Sequence, residues 1–433
     1  MRIGFVIVIL LSSLLSCKTA NKLFTSNKTP HDQYSSRLTD AQLNTTALGT
    51  AWLNAAQKAL IRPVGIQLPY QETGYFAAEQ PFAFGYRFTV RRGEKINVSI
   101  VADSTKPILL FADLWHYDTI KPKLIKAADT TALHIVQEVE ENETYSLRIQ
   151  PELLRSGQFT VTISASGSLA FPVPAENNPR IGSFWGADRD AGARKHEGID
   201  IFGKFRTPIV AAADGYITST RENKLGGKVV FLRPYQKNYT LYYAHLDSQI
   251  VKEGQEVKTG DVVGLMGNTG NARTTPTHLH FGIYTNIGAI DPLPFVDKQN
   301  EHPQSIFASL QTLGSFVRTN KAVSIYISAS AKSSIAEKLI SGSALQVVAV
   351  TSNWYRVVLP DGKEGFVNDN SIAWQSSPLK TYATKSDVLL LDEATGYASP
   401  KKKIAANTSL QVIGTYNEYN LVKTDGLLGW IHK

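Results

Sequence analysis

The chain has 433 residues, of which 43% are hydrophobic and 10% aromatic. One core cannot hold so many residues, so we expect two to four domains of about 100 to 150 residues, and the composition excludes a chain that stays disordered. The formal charge of +8 would attract anionic polymers. The basic residues are scattered rather than interleaved with aromatic residues, so we expect no nucleic-acid partner.

Residues 1–16 are typical of a secretion signal, because Arg2 precedes an apolar stretch, Ile3–Leu15, that is too short to span a membrane. Cys17 follows directly and is the one cysteine of the chain. Its Leu-Leu-Ser-Cys context resembles the lipoprotein processing box, so we expect its thiol to carry a lipid that anchors the protein at a bacterial membrane. A stray thiol in a plain signal peptide is the alternative. Lys18 stands where some surface-export signals are acidic, which favours an anchor that faces the periplasm.

Two kinds of segment are expected before the first strand. Residues 17–39 are polar and without apolar periodicity, which predicts a flexible tether. Residues 40–63 predict one helix that ends at Pro63. The apolar positions at helical spacing are Leu43, Ala47, Leu48, Ala51, Trp52, Ala55, Ala59 and Leu60.

Residues 64–168 change to a period of two, which predicts an antiparallel β-sandwich. Four runs in which apolar residues alternate with small or polar ones end at residues 90, 100, 149 and 163. The layout resembles the small β-sandwich found beside many secreted bacterial peptidases. His116 and His134 stand alone here, and we interpret them as ordinary strand or loop residues.

Five residues in the segment 175–300 form a pattern that indicates a metal site: His196, Asp200, His245, His278 and His280. Catalytic zinc usually takes three protein ligands from histidine and carboxylate and keeps a fourth position for water. The helical His-Glu-x-x-His motif of the zincins is absent, since a glycine and an aspartate follow His196 within four positions. On a strand, His278 and His280 would share a face about 7 Å apart, so one could bind metal while the other faces substrate.

The same segment resembles the LytM and lysostaphin family of zinc endopeptidases. Besides the five residues, the framework is similar to the family's strands and turns at Phe205–Gly215, Val251–Asp261 and Gly267–Gly270. The resemblance implies a β-rich peptidase domain with one Zn²⁺ ion bound by His196, Asp200 and His280. His245 and His278 fall at the family's two non-ligand histidines, so they are the expected catalytic residues.

Two departures from the family pattern affect the wall of the substrate groove rather than the ligands. The loop from Asn271 to Thr277 is longer than the usual turn, and Gly282 replaces a frequent glutamate. Asn271, Thr274 and Thr275 could line the groove. Ordinary turn chemistry at the surface would explain these three residues equally well.

The expected reaction is hydrolysis of an amide bond in the stem peptides or cross-bridges of peptidoglycan, the expected partner. Zinc would polarise the scissile carbonyl and lower the pKa of a bound water from 15.7 to about 7. His245 and His278 would orient or deprotonate that water and stabilise the oxyanion. The alternative is a non-catalytic lipoprotein that binds the wall or activates another hydrolase. A purely structural zinc is a third hypothesis, which the spare histidines and the lack of a ligating cysteine disfavour.

The last part of the chain contains an internal repeat with a spacing of about 65 residues. Ala344–Val348 returns as Ser409–Ile413, Trp354 returns as Tyr419, and an Asp-Gly pair at 361 returns at 425. Each copy resembles the bacterial Src-homology-3-like domains found in many wall hydrolases, which predicts two small domains at 312–375 and 376–433. Wall binding and mere spacing of the peptidase domain are equally compatible with the pattern.

The predicted fold is therefore mainly β and multidomain. It comprises an N-terminal β-sandwich, a central β-rich zinc peptidase domain and two small C-terminal β-barrels.

Overall fold

The computed structural model describes residues 28–103, 108–297, 302–373 and 377–433. Strands make up most of its regular structure, which confirms the mainly β, multidomain fold class. The predicted signal, residues 1–16, and the predicted lipidation site Cys17 lie outside the described residues. Of the helices that are described, none has the length and apolar character needed to cross a membrane.

Two helices, α1 (Pro30–Asp40) and α2 (Ala47–Ile61), precede the first strand. The prediction of a tether through residue 39 is wrong over α1. Thr29 and Asp32 form a capping box there, in which each side chain accepts a hydrogen bond from the other residue's backbone amide. The single helix predicted at 40–63 is also shorter than expected, because a 3₁₀ turn, Leu43–Thr45, comes before α2.

Both helices pack against the strands that follow them. Trp52 of α2 is buried and donates from Nε1 to the carbonyl of Pro151 at 2.8 Å. The ring of His31 in α1 stacks on Trp52 at 4.6 Å and lies 2.7 Å from Gln150 Oε1 through its Nε2. These buried contacts explain why a polar segment is ordered as a helix.

Nine strands form the β-sandwich. They are β1 (Val64–Gly65), β2 (Tyr70–Phe76), β3 (Phe84–Val90), β4 (Glu94–Ala102), β5 (Leu110–His116), β6 (Lys123–Ala127), β7 (His134–Glu138), β8 (Glu143–Pro151) and β9 (Gly157–Gly167). One sheet has the order β1-β3-β8-β5-β6, and the other contains β2-β9-β4-β7. Phe76, Phe84 and Phe159 pack in the core with ring centroids 5.0 to 5.2 Å apart.

The central region contains twelve strands and a short helix, α3 (Leu293–Val296). The strands are β10 (Arg180–Ser183), β11 (Asp188–Arg189), β12 (Arg194–Lys195), β13 (Ile199–Phe202), β14 (Pro208–Val210), β15 (Gly215–Asn223), β16 (Gly227–Pro234), β17 (Tyr239–Gln249), β18 (Glu256–Val257), β19 (Val262–Met266), β20 (His278–Thr285) and β21 (Gly288–Ile290). Seven of them follow the order β10-β13-β20-β17-β16-β15-β18 in one antiparallel sheet, which β14, β19 and β21 extend. Strands β11 and β12 form a separate hairpin.

The helix α3 attaches this region to the β-sandwich. The amides of Gly167 and Leu169 donate to the carbonyls of Asp297 and Phe295, both at 2.8 Å. Phe295 also packs over Gly93, where a β-carbon would lie 2.3 Å from the ring and where φ is +90°. A side chain at Gly93 would therefore separate the two regions.

Thirteen strands form the C-terminal part. They are β22 (Phe316–Thr319), β23 (Val323–Tyr326), β24 (Ile335–Leu339), β25 (Ala344–Thr351), β26 (Trp354–Val358), β27 (Glu364–Asn368), β28 (Ile372–Ala373), β29 (Lys380–Ala383), β30 (Val388–Leu391), β31 (Pro400–Ile404), β32 (Ser409–Tyr416), β33 (Tyr419–Thr424) and β34 (Leu427–His432). The sequence repeat is visible as structure, since β25-β26-β27 and β32-β33-β34 are antiparallel in the same order. Strand β25 also pairs with β2, so the first repeat continues one sheet of the sandwich.

The aromatic residues that close each repeat belong mainly to cores. Phe366 is fully buried among residues of the sandwich, and Trp430 packs with residues of both repeats. Trp354 and Tyr419 are only partly buried. Packing therefore explains Phe366 and Trp430 without a ligand.

Candidate functional site

The five residues of the predicted metal pattern converge on adjacent strands. Strands β13, β20 and β17 are neighbours, and their register puts Asp200 directly opposite His280. His278 lies two positions before His280 and so shares its face. His196 comes just before β13, and His245 lies on β17 one position after the residue opposite His280.

A β-bulge explains how His245 reaches this face. Tyr243 of the same strand is fully buried in the core, so strict alternation would turn His245 toward the core as well. The pairing of β17 with β16 instead gains a residue between Tyr243 and Leu246, and His245 has a left-handed φ of 60°. Its ring then lies 5.9 Å from that of His280. Uncommon backbone conformations of this kind are concentrated at functional sites.

Three atoms lie almost equally far from one another at the centre of the site. His196 Nε2 is 2.9 Å from His280 Nδ1, and each of these nitrogens is 3.0 Å from Asp200 Oδ1. His196 and Asp200 are buried, and His280 is nearly so. Within the described residues, these three side chains form a group whose possible metal-ligand atoms all lie within 4.8 Å of one another.

Contacts outside the trio orient its atoms. His196 Nδ1 donates to the carbonyl of Phe184 at 2.9 Å, because a carbonyl can only accept, and this leaves the Nε2 of a neutral ring unprotonated. Arg189 donates to Asp200 Oδ2 at 2.8 Å and to Ser183 Oγ at 2.7 Å. The arginine therefore engages the outer carboxylate oxygen and leaves Oδ1 facing the two imidazoles.

The carboxylate of Asp200 is held in its ionised form. Burial alone would raise its pKa, but the hydrogen bonds and charges of His196 and His280 lower the pKa well below the usual range. Burial lowers the pKa of His280. An ionised oxygen thus faces two imidazoles, of which His280 favours the neutral state, and this arrangement suits a shared cation.

His245 and His278 lie beside the trio with the same tautomer. His245 Nδ1 donates to the carbonyl of Thr269 at 2.9 Å, and His278 Nδ1 donates to that of Pro276 at 2.8 Å. Their ring centroids are 5.0 Å apart. Burial, followed by the neighbouring His278, lowers the pKa of His245 to about 4. The Nε2 of His245 is therefore available as a proton acceptor near neutral pH, and the His278 ring is held in the same orientation beside it.

The site opens into a cleft of about 780 Å³. Asn271 and Thr275 line it, whereas Thr274 is not among the lining residues. At Gly282 a β-carbon would lie 3.0 Å from Tyr284 and 3.1 Å from the Glu197 carbonyl, so a side chain at this position would require these neighbours to shift.

Sequence reasoning missed several cleft residues. Arg189 reaches the site from the hairpin of β11 and β12, and Tyr242 lines the floor 5.9 Å from the His280 ring. Glu197, next to His196, lies 3.5 Å from the Tyr284 hydroxyl, which donates to it. The position of Tyr242 beside Tyr243 in a strand could have indicated its place in the cleft. Nothing in the polar segment around Arg189 indicates a place there.

Two family models match the chain. Residues 194–292 match the model described as Peptidase family M23, and residues 319–373 match the bacterial SH3 domain. The L-Ala–D-Glu endopeptidase of Bacillus subtilis (strain 168) is 34% identical over 140 residues, or 30% of this chain and 43% of that protein. The murein hydrolase activator NlpD of Salmonella dublin is 35% identical over 104 residues, or 24% of this chain and 27% of that protein.

These matches cover less than half of each relative's length. Among solved structures, the catalytic domain of the antimicrobial peptidase lysostaphin from Staphylococcus simulans is 32% identical, with 28% of this chain and 97% of that chain covered and a TM-score of 0.26. The chain thus contains a Peptidase family M23 domain of the LytM and lysostaphin type and a bacterial SH3 domain, and the M23 family includes both peptidoglycan endopeptidases and murein hydrolase activators.

Proposed function

We propose that the protein is a zinc-dependent endopeptidase that hydrolyses amide bonds in the stem peptides or cross-bridges of peptidoglycan. The observation that carries the proposal is the pairing of two groups in one open cleft. His196, Asp200 and His280 bring three ligand atoms together, and His245 and His278 lie beside them with each Nδ1 held by a backbone carbonyl.

The donor set of the trio fits one Zn²⁺ ion. Two imidazole nitrogens and one ionised carboxylate oxygen are ligands that catalytic zinc takes in proteins. The hydrogen bond from His196 to the Phe184 carbonyl is the kind of contact that fixes a ligating imidazole. Zinc held by these atoms would polarise a scissile carbonyl and acidify a bound water.

The two remaining histidines supply the proton chemistry. The Nε2 of His245 or His278 accepts a proton from the attacking water, and the resulting imidazolium can return it to the leaving amine. The protonated ring also stabilises the negative charge that develops on the carbonyl oxygen. Because each ring is held at Nδ1 by a carbonyl, neither must reorient during this exchange.

A non-catalytic activator of another hydrolase is the rival function, since a relative carries that name. An activator needs neither a complete ligand trio nor poised imidazoles. All five residues are present here, and backbone carbonyls accept hydrogen bonds from Nδ1 of His196, His245 and His278, which favours the enzyme.

Digestion of purified sacculi tests the proposal. The zinc-loaded wild type should release peptide fragments that mass spectrometry assigns to cleaved amides, and a chelator should stop the release. Asp200→Ala should release none, while His116→Ala, at an isolated strand histidine, should match the wild type. A wild type that releases nothing from sacculi or soluble stem peptides, yet stimulates a separate hydrolase, would establish the activator instead.

We further propose that peptidoglycan is the partner and that lipid on Cys17 anchors the protein in the cell envelope, facing the periplasm. Cys17→Ala should then move the protein from the membrane fraction to the soluble fraction.

The C-terminal repeats either bind the wall or only space or shield the catalytic domain. Sedimentation with sacculi decides between these roles, because Trp354→Ala should weaken binding only if this partly buried ring contacts the wall.

A further inference from the structure

A row of side chains leads along the cleft floor away from the trio of His196, Asp200 and His280. The register pairs Asp200 with His280 and Phe231 with Tyr242. Tyr242 lies 5.9 Å from the His280 ring and 4.8 Å from the Phe231 ring. The guanidinium of Arg221 stands over Phe231 at 4.9 Å. All five residues line the cleft, so its floor is aromatic and ends at the guanidinium of Arg221.

Arg221 differs in its partners from the other arginines of the cleft. Arg189 donates to Asp200 and Ser183, and Arg194 also has a partner. Over the ranges that the structure describes, no ion pair or side-chain hydrogen bond involves the Arg221 guanidinium, and the residue is exposed. Its N–H groups are therefore available to a ligand, while Phe231 covers part of the guanidinium and restricts its orientation.

The distance from the trio can be expressed in substrate residues. Arg221 is on β15, and the strand order places β15 three neighbours from β20. At about 4.8 Å per strand this separation is about 14 Å, and an extended peptide advances about 3.3 to 3.6 Å per residue. The strand of Arg221 therefore lies about four peptide residues from a bond cleaved beside His280.

We propose that Arg221 binds a carboxylate of the peptide substrate and makes the enzyme select stems with a free carboxyl over the same stems as carboxamides. The inference rests on the proposed endopeptidase function and adds the chemistry of its substrate. A guanidinium offers two parallel donors that match a carboxylate, whereas a carboxamide presents one acceptor and carries no charge.

Two synthetic stem peptides that differ only in one side-chain or α-carboxylate, free or amidated, test the inference. The wild type should cleave the acidic peptide with a kcat/KM about 10- to 100-fold higher, the range expected for hydrogen bonds to charged groups. Arg221→Gln should remove this preference, and Arg221→Lys should retain part of it because the charge remains without the fork. Arg180→Gln, an exposed arginine on β10 outside the cleft lining, should keep the full preference.

The outcomes separate this inference from the proposed function. Cleavage of both peptides with equal kcat/KM by the wild type would overturn the role of Arg221 and leave the endopeptidase intact. An equal loss on both peptides in Arg221→Gln would also overturn it. If the wild type cleaves neither peptide, the endopeptidase proposal fails, and calorimetric binding of the two peptides then decides on Arg221, since equal affinities would contradict a carboxylate site.

Discussion

Two of the buried clusters of charged side chains in the described residues differ in what surrounds them. The first is the trio of His196, Asp200 and His280 at the base of the cleft. The second lies between the sandwich and the first repeat, where Arg356 contacts Glu72 at 3.4 Å and Glu364 at 2.8 Å. Both would be selected by a search for buried charge alone.

The second cluster is closed on nearly every side. Glu72 accepts hydrogen bonds from the hydroxyls of Tyr70 at 2.6 Å and Tyr86 at 2.7 Å. Arg356 is 1% exposed and stands over the rings of Phe84 and Tyr86, with only Nε lacking a partner in the described residues. Burial would lower the pKa of Arg356, but the two glutamates raise it. Acceptors and donors here satisfy one another.

The first cluster faces a cleft instead. His196 Nε2 and His280 Nδ1 lie 2.9 Å apart, with the Asp200 oxygen 3.0 Å from each, an arrangement that a shared cation would stabilise. Burial and charge are common to both clusters. Of the two, only the first has ligand atoms that converge beside an open cleft, and for this reason we propose a functional role for it.

The largest expected effect concerns the histidines beside the trio. His245→Ala or His278→Ala should lower kcat for a soluble stem peptide by about 10²- to 10⁴-fold, because each removes a general base or acid. The zinc content should stay at the wild-type level. Steady-state kinetics beside metal analysis checks this, with His116→Ala as the control. Wild-type turnover in both variants would show that the imidazoles have no part in the reaction.

The next effect concerns the closed cluster. Arg356→Ala should lower the free energy of unfolding by about 3 to 5 kcal/mol, because it leaves Glu72 buried without its cation, while Glu364 keeps only Lys58. Arg155→Ala breaks an exposed pair with Glu152 and should cost about 0 to 1 kcal/mol. Denaturant unfolding of the full chain measures both. Equal small losses would mean that the cluster does not hold the sandwich to the repeat.

The smallest effect concerns the contact that orients Asp200. Arg189→Gln removes the hydrogen bond to the outer carboxylate oxygen and should weaken zinc binding by about 10- to 100-fold. Competition with a chromophoric chelator measures the affinity, and Arg180→Gln serves as the control. An unchanged affinity would mean that strand pairing alone positions the aspartate.

The sequence was informative where spacing and chemistry coincide. His196, Asp200 and His280 were recognisable because their order and spacing match a family motif, and strand alternation placed His278 beside His280. The bulge that turns His245 toward the cleft has no marker in the residues around it. The capping box of α1 was present as Thr29 and Asp32, but the polar composition around it suggested a tether.

Other features depend on contacts between distant parts of the chain. Glu72 and Arg356 are 284 residues apart, and no local pattern connects them. Arg189 is one of three basic residues in a polar hairpin, so its contact with Asp200 appears only in the folded chain. Thr274 was expected in the groove with Asn271 and Thr275, yet only the other two lie in the lining.

We propose that His196, Asp200 and His280 hold one zinc ion and that His245 and His278 do not ligate it. Zinc content per chain, measured by mass spectrometry of the metal on the five alanine variants after identical loading, tests this division of roles. We expect His196→Ala, Asp200→Ala and His280→Ala to lose the ion, because two remaining ligands bind it far more weakly, and we expect His245→Ala and His278→Ala to retain it. A zinc-free His278→Ala protein beside a zinc-replete His280→Ala protein would contradict the assignment.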